Sequence, residues 1–284
     1  MAKPDLSSIM KQIEGEGYSL DDINRSELTI AFLSLRSAFR AWFSTYQCFR
    51  WRFYIADASH ALPPPDGTDE DPVQFARLTR QHNHPFQYYE AYSETILHLH
   101  HFFELLLKDI LRSQHELLAN DASSNPLILY QLLKGEKVDA SQLQRQKSVE
   151  FSEALKRVVC LIDNKKIDLT KYEYLKGGAP ILEKLNWFRN RLIHRGTFVL
   201  PYASLDEFIG RYLLPLINTS LQLPEIVGKE NFWKYQQPLS CGIDPILELL
   251  SVFQTSPLEL KKIAFLKELG RAAYHNPIQK RGMT

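Results

Sequence analysis

Two long stretches with apolar side chains at helical spacing constrain this chain more than any other feature. From Asp22 to His60 the apolar and aromatic positions include Leu28, Phe32, Leu35, Phe39, Trp42, Phe43, Tyr46, Phe49 and Phe53. Steps of three and four fit a helix of about 3.6 residues per turn; a strand alternates instead. The second stretch, "PFQYYEAYSETILHLHHFFELLLKDILRSQHELLA" from Pro85 to Ala119, carries the same pattern. Two such stripes must bury their apolar sides against other helices. The chain shows no internal repeat and no run of β alternation, so the expected fold class is all-α.

Helix breakers divide the rest. "ALPPPDGTDEDP", Ala61 to Pro72, is a proline-rich acidic loop. "NDASSNP", Asn120 to Pro126, ends the second long helix. Shorter helices are expected at Leu127–Leu133 and Val149–Asp163, with a polar stretch between them. "LKGGAP", Leu175 to Pro180, is expected to stop one element and start the next, Ile181–Arg195, which Gly196 closes. Ser204-Leu-Asp-Glu207 reads as a capping box opening a helix to about Leu221. Asp244-Pro245 and Ser256-Pro-Leu-Glu259 are two further helix starts, and the last residues are expected to fray. The organisation read from this is a helical bundle over 20–222, with loops at 61–73 and 134–148, and an appended C-terminal helical extension over 223–284.

Net charge is +1, so no overall basic field announces nucleic acid; any such site must be a local patch. Cys48, Cys160 and Cys241 form no CxxC pair, which argues against structural zinc and suits a reducing cytoplasm. "MAKPDLSSIMKQIEGEGYS" lacks an apolar core, so a signal peptide is not expected. No apolar run of about 18 residues predicts a membrane span. A cytoplasmic location is expected.

The segment "LNWFRNRLIHRGT", Leu185 to Thr197, raises the functional question. On a wheel of about 100° per residue, Ile181, Leu182, Leu185, Phe188, Leu192 and Ile193 form the buried arc. Arg189 falls inside it and requires a partner or an interface, because an unpaired buried guanidinium is costly. Asn190 and His194 fall one turn apart on another face and can act on one object. On the second long helix His100, Glu104 and Lys108, spaced four apart, border the apolar arc. Glu104 is the expected partner of Arg189.

Arg189-Asn190-x-x-x-His194 resembles the R-x4-6-H motif of the HEPN superfamily, in its R-N-x-x-x-H form. "HLHHFFELLLKDIL" resembles the earlier helix of that family, where a polar or acidic residue faces the motif. The likeness covers roughly Phe86 to Leu221. It implies a HEPN-like bundle that dimerises with its motifs facing. It further implies, in many members, a metal-independent ribonuclease of toxin–antitoxin or phage-defence systems, and in others a non-catalytic module that binds a partner protein, RNA or nucleotide. On the first reading the substrate is RNA and no cofactor is needed. Arg189, Asn190 and His194 are the catalytic set, supported by Glu104, His100 and Lys108, and an antitoxin or defence protein is a further partner.

These residue types suit the chemistry. The ribose 2′-OH is the nucleophile. A histidine moves protons near neutrality. A guanidinium stabilises charge on the phosphorane. On the ribonuclease reading that the resemblance implies, the products are a 2′,3′-cyclic phosphate and a 5′-OH. One departure concerns regulation: family members modified by a nucleotidyltransferase antitoxin carry a tyrosine two residues after the histidine, where this chain has Gly196.

Other motifs carry less. His98, His100 and His101 lack the HExxH or paired ExxH spacing, so no metal site is expected. "HNH" at His82–His84 is no nuclease motif. Arg36, Arg40, Arg50 and Arg52 among aromatics resemble a stacking platform but are read as flanks of a core helix. "KGGAP" lacks the spacing of a phosphate loop.

Overall fold

The computed structural model describes residues 27–49, 86–121, 126–138, 147–196, 198–235, 239, 241–255 and 258–275. Helices dominate these residues and none of them forms a strand; a lone antiparallel bridge joins Asn120 to Ser148. The chain is all-α.

Helix α1 (Glu27–Ser44) runs into a short 3-10 turn (Thr45–Phe49). It buries Phe32, Leu35, Phe39, Trp42 and Phe43 at the expected three- and four-residue steps. Helix α2 (Phe86–Gln114) packs along it and is the spine of the fold. Tyr88, Tyr92, Ile96, Leu99, Phe103, Leu107 and Ile110 face inward from α2. It ends five residues before Ala119, because His115 turns to an extended conformation and its side chain accepts the Leu117 amide. That cap opens the single turn α3 (Glu116–Ala119).

Helices α4 (Pro126–Leu133), α5 (Phe151–Asp163) and α6 (Leu169–Arg195) follow, with α5 and α6 packed on each other and on α2. A helical run over 202–221, here α7, consists of Tyr202–Glu207, a π-helical stretch Phe208–Leu213, and Leu214–Leu221. One turn, α8 (Glu230–Trp233), precedes α9 (Pro245–Val252) and α10 (Leu260–His275). Asp244 caps α9 as expected, accepting the Ile246 amide at 3.0 Å, with Pro245 at the first helical position.

Several sequence expectations are corrected. "LKGGAP" does not divide two elements: α6 passes through it, with Pro180 inside the helix. Tyr172 before it, Leu175 at its first position and Leu182, Leu185 and Phe188 after it are buried, and that packing outweighs the breakers. Gly178 serves close approach, since a Cβ there would sit 2.7 Å from Leu216 Cδ2. Ser204–Glu207 does not open its helix, because burial of Tyr202 draws the start upstream to a Pro201 cap.

The segment after 223 packs into the same hydrophobic cluster as α1. Trp233 meets Phe39 at 6.3 Å, Tyr274 meets Phe43 at 5.8 Å, and Phe253 meets Trp42 at 6.2 Å between ring centroids. Arg36 donates to the Lys234 carbonyl at 2.7 Å and lies over Tyr274, in keeping with the flank-of-core reading. At the centre of this junction Lys267 Nζ lies 2.5 Å from Asp206 Oδ1, and both side chains are removed from water.

The ends of the first expected helix, the loop at 61–73, "HNH" at 82–84, Arg50, Arg52, the Ser256-Pro257 cap and most of 134–148 lie outside the described residues. Among the described residues no helix is long and apolar enough to cross a membrane.

Candidate functional site

The site grows from the two ends of α6. Asp168 caps its start, accepting the Thr170 amide at 2.9 Å. Gly196 closes it in the left-handed region (φ 59°), returning its N–H to the Leu192 carbonyl at 3.1 Å. Between these caps one apolar side presses on the bundle, and a polar seam runs beside it through Asn186, Arg189, Asn190 and His194.

Arg189 and Asn190 are half-buried; His194 is exposed. The Arg189 guanidinium donates from Nη1 to Asn190 Oδ1 at 2.9 Å. The His194 side chain makes no hydrogen bond among the described residues. Ile193, placed by the wheel in the buried arc, is 49% exposed. The helix simply outruns the bundle: the whole turn 193–196 faces outward.

The expected pairing of Arg189 with Glu104 does not form. Lys108, one turn along α2, takes Glu104 at 2.7 Å and Ser148 Oγ at 3.0 Å. Burial acts to raise the Glu104 pKa, but the hydrogen bond and charge of Lys108 outweigh it and hold the carboxyl below its ordinary range. Arg189 has no ion pair among the described residues. The stripe His100–Glu104–Lys108 thus exists as expected, with a different use for its carboxylate.

What joins α2 to the seam is His100. Its side chain is buried, stacks on Phe151 at 4.4 Å between centroids, and meets Asn186 Oδ1 through Nε2 at 3.0 Å. Asn186 Nδ2 donates to Ser152 Oγ at 2.8 Å, which leaves its oxygen for His100. Burial pushes the His100 pKa down to about 4, with Arg189 adding to the effect through its charge. His100 is therefore neutral at ordinary pH, and the field of Arg189 reaches it. Asn186 was not singled out from sequence; its place four residues before Asn190 and eight before His194 was the available signal.

The other histidines point elsewhere. His101 Nδ1 contacts Ser34 Oγ at 2.7 Å, and burial lowers its pKa. His98 lines a groove of about 450 Å³ between α1 and α2 with Arg40, Glu90 and Glu94. Among the described residues no group of three or more His, Cys, Asp or Glu is placed to hold a metal ion.

No family model, no curated protein and no solved structure matches the chain.

Proposed function

We propose that the chain is a HEPN-type endoribonuclease acting as a homodimer through the α6 motif face. The observation that carries this reading is Arg189: a half-buried guanidinium, held by Asn190 and without a carboxylate among the described residues, with an exposed histidine one turn beyond that asparagine. A cation left unneutralised at such a place suits a phosphodiester. His194 takes the 2′-OH proton as the 2′-oxygen bonds to phosphorus. The P–O5′ bond breaks, and the 5′-oxygen receives a proton. Arg189 stabilises the doubly charged phosphorane. His194 of one protomer supplies one of the two proton transfers, and a facing second copy supplies the other.

The test is cleavage of a total-RNA pool in EDTA by wild type and by His194→Ala, with products assayed for 2′,3′-cyclic phosphate. Loss of cleavage with the melting curve unchanged is expected for His194→Ala. A wild type that cleaves no RNA favours the second reading, a non-catalytic HEPN module.

A further inference from the structure

Beside the Arg189–His194 seam α6 carries a second feature that the reaction does not use. Between 181 and 198 the sequence holds Lys184, Arg189, Arg191 and Arg195 against one acid, Glu183, although the whole chain is balanced at 34 basic and 33 acidic residues. None of these four cations forms an ion pair among the described residues, whereas Arg112, Arg157, Arg211 and Arg271 each face a carboxylate.

Lys184, Arg191 and Arg195 follow one edge of the helix, rising about 10 Å from the first to the second and about 6 Å to the third. Trp187 lies between them. Lys184 Nζ sits 4.2 Å and Arg191 Cζ 4.9 Å from its ring centroid. Phe188 and Phe198 brace the indole in edge-to-face contact, at 5.4 Å and 4.9 Å. Trp187 itself is only half-buried. Cations without carboxylates around a braced aromatic ring bind a flexible polyanion that carries flat rings: charge tracks the backbone, and as Lys184 or Arg191 turns from the indole to a phosphate the ring face takes a base. A duplex hides its bases, and an acidic peptide has none.

We propose that Lys184, Trp187, Arg191 and Arg195 form a binding track for single-stranded RNA that delivers the strand to Arg189 and His194. The track rests on the ribonuclease reading for its direction, but its binding is measurable without cleavage.

Fluorescence anisotropy of a labelled oligouridine, titrated with the full-length His194→Ala protein, tests it. Lys184→Glu with Arg195→Glu, both exposed sites, is expected to weaken binding about tenfold or more and to lower the salt slope by about 0.7 per lost phosphate contact. Trp187→Phe is expected to retain more affinity than Trp187→Ala. The same sequence as a duplex is expected to bind more weakly. Unchanged affinity and slope in the double charge variant overturn the track, even if the wild type cleaves RNA. Binding that depends on these residues, in a protein that cleaves nothing, upholds the track and refutes the ribonuclease reading. Equal competition by polyglutamate overturns the RNA assignment in favour of an acidic protein partner.

Discussion

His100 Nε2 lies 3.0 Å from Asn186 Oδ1, and that contact fixes the state of a buried histidine. Because Asn186 spends its amide nitrogen on Ser152, the oxygen must accept and Nε2 must carry the proton. Nδ1 then presents a lone pair 3.7 Å from the Glu104 carboxylate, which explains why Glu104 turns to Lys108.

A pH dependence follows from the burial of His100. Its folded pKa of about 4 lies below its ordinary 6.5, so between these values the unfolded chain binds the extra proton. Stability is fully present above pH 6.5 and falls as pH drops towards 4, by as much as about 3 kcal/mol from this group. Glu104, also depressed, adds a loss in the same direction at lower pH. Chemical denaturation from pH 7 to pH 4 should show a steep loss in wild type and a clearly flatter one in His100→Gln. Parallel curves for the two proteins would remove His100 as the cause.

The ion pair of Asp206 and Lys267 is expected to be costly to break. Asp206 Oδ1 also accepts from Trp42 Nε1 at 2.8 Å, and Lys267 Nζ donates to Thr45 at 2.6 Å while lying over the Tyr202 ring. Lys267→Met leaves a buried carboxylate without its cation and should cost about 3–5 kcal/mol. Adding Asp206→Asn removes that stranded charge and keeps an acceptor for Trp42, so the double variant should recover much of the loss. Urea titrations of the two variants decide it: a double variant no better than the single one contradicts the stranded-charge account.

Much of this architecture was legible in sequence, and the failures have a common cause. The apolar steps of α1 and α2 are local, and so is the Gly196 stop; each appears in the structure. The wheel also separated Arg189 from His194. It could not say which of two cations captures Glu104, since Lys108 competes from the same helix while Arg189 sits on another. Gly178 read as a breaker because the residue that needs its empty space, Leu216, lies 38 positions later. The burial of the segment after 223 against α1 was hidden for the same reason: nothing in Tyr274 names Phe43 as its neighbour.

Gly210 tests that long-range packing. It lies in the π-helical stretch of α7, and a Cβ added there would fall inside the contact shell of the Phe253 ring. Gly210→Ala should destabilise by about 1–3 kcal/mol, because an aromatic ring on a packed neighbour cannot yield as a flexible chain end can. Gly178→Ala, facing the branched end of the Leu216 side chain, should cost less. Thermal melts of the two proteins should rank them in that order, and Phe253→Leu should restore part of the Gly210→Ala loss.

Ile193 tests the proposed dimer. It is 49% exposed, and the residues around it on the outward turn are His194, Arg195 and Gly196. An aliphatic side chain among polar neighbours does little for an isolated helix end but contributes apolar area when the same face of a second copy covers it. Ile193→Glu places a carboxylate in that contact without touching the buried side of α6. Light scattering should report a dimer for wild type and a monomer for the variant. Cleavage should fall by about 10²–10⁴-fold, the range for losing one positioned acid or base, since a monomer retains a single motif histidine. The circular dichroism melt should move little. A variant that stays dimeric shows that the copies meet elsewhere, and a variant that becomes monomeric with cleavage intact shows that one His194 suffices.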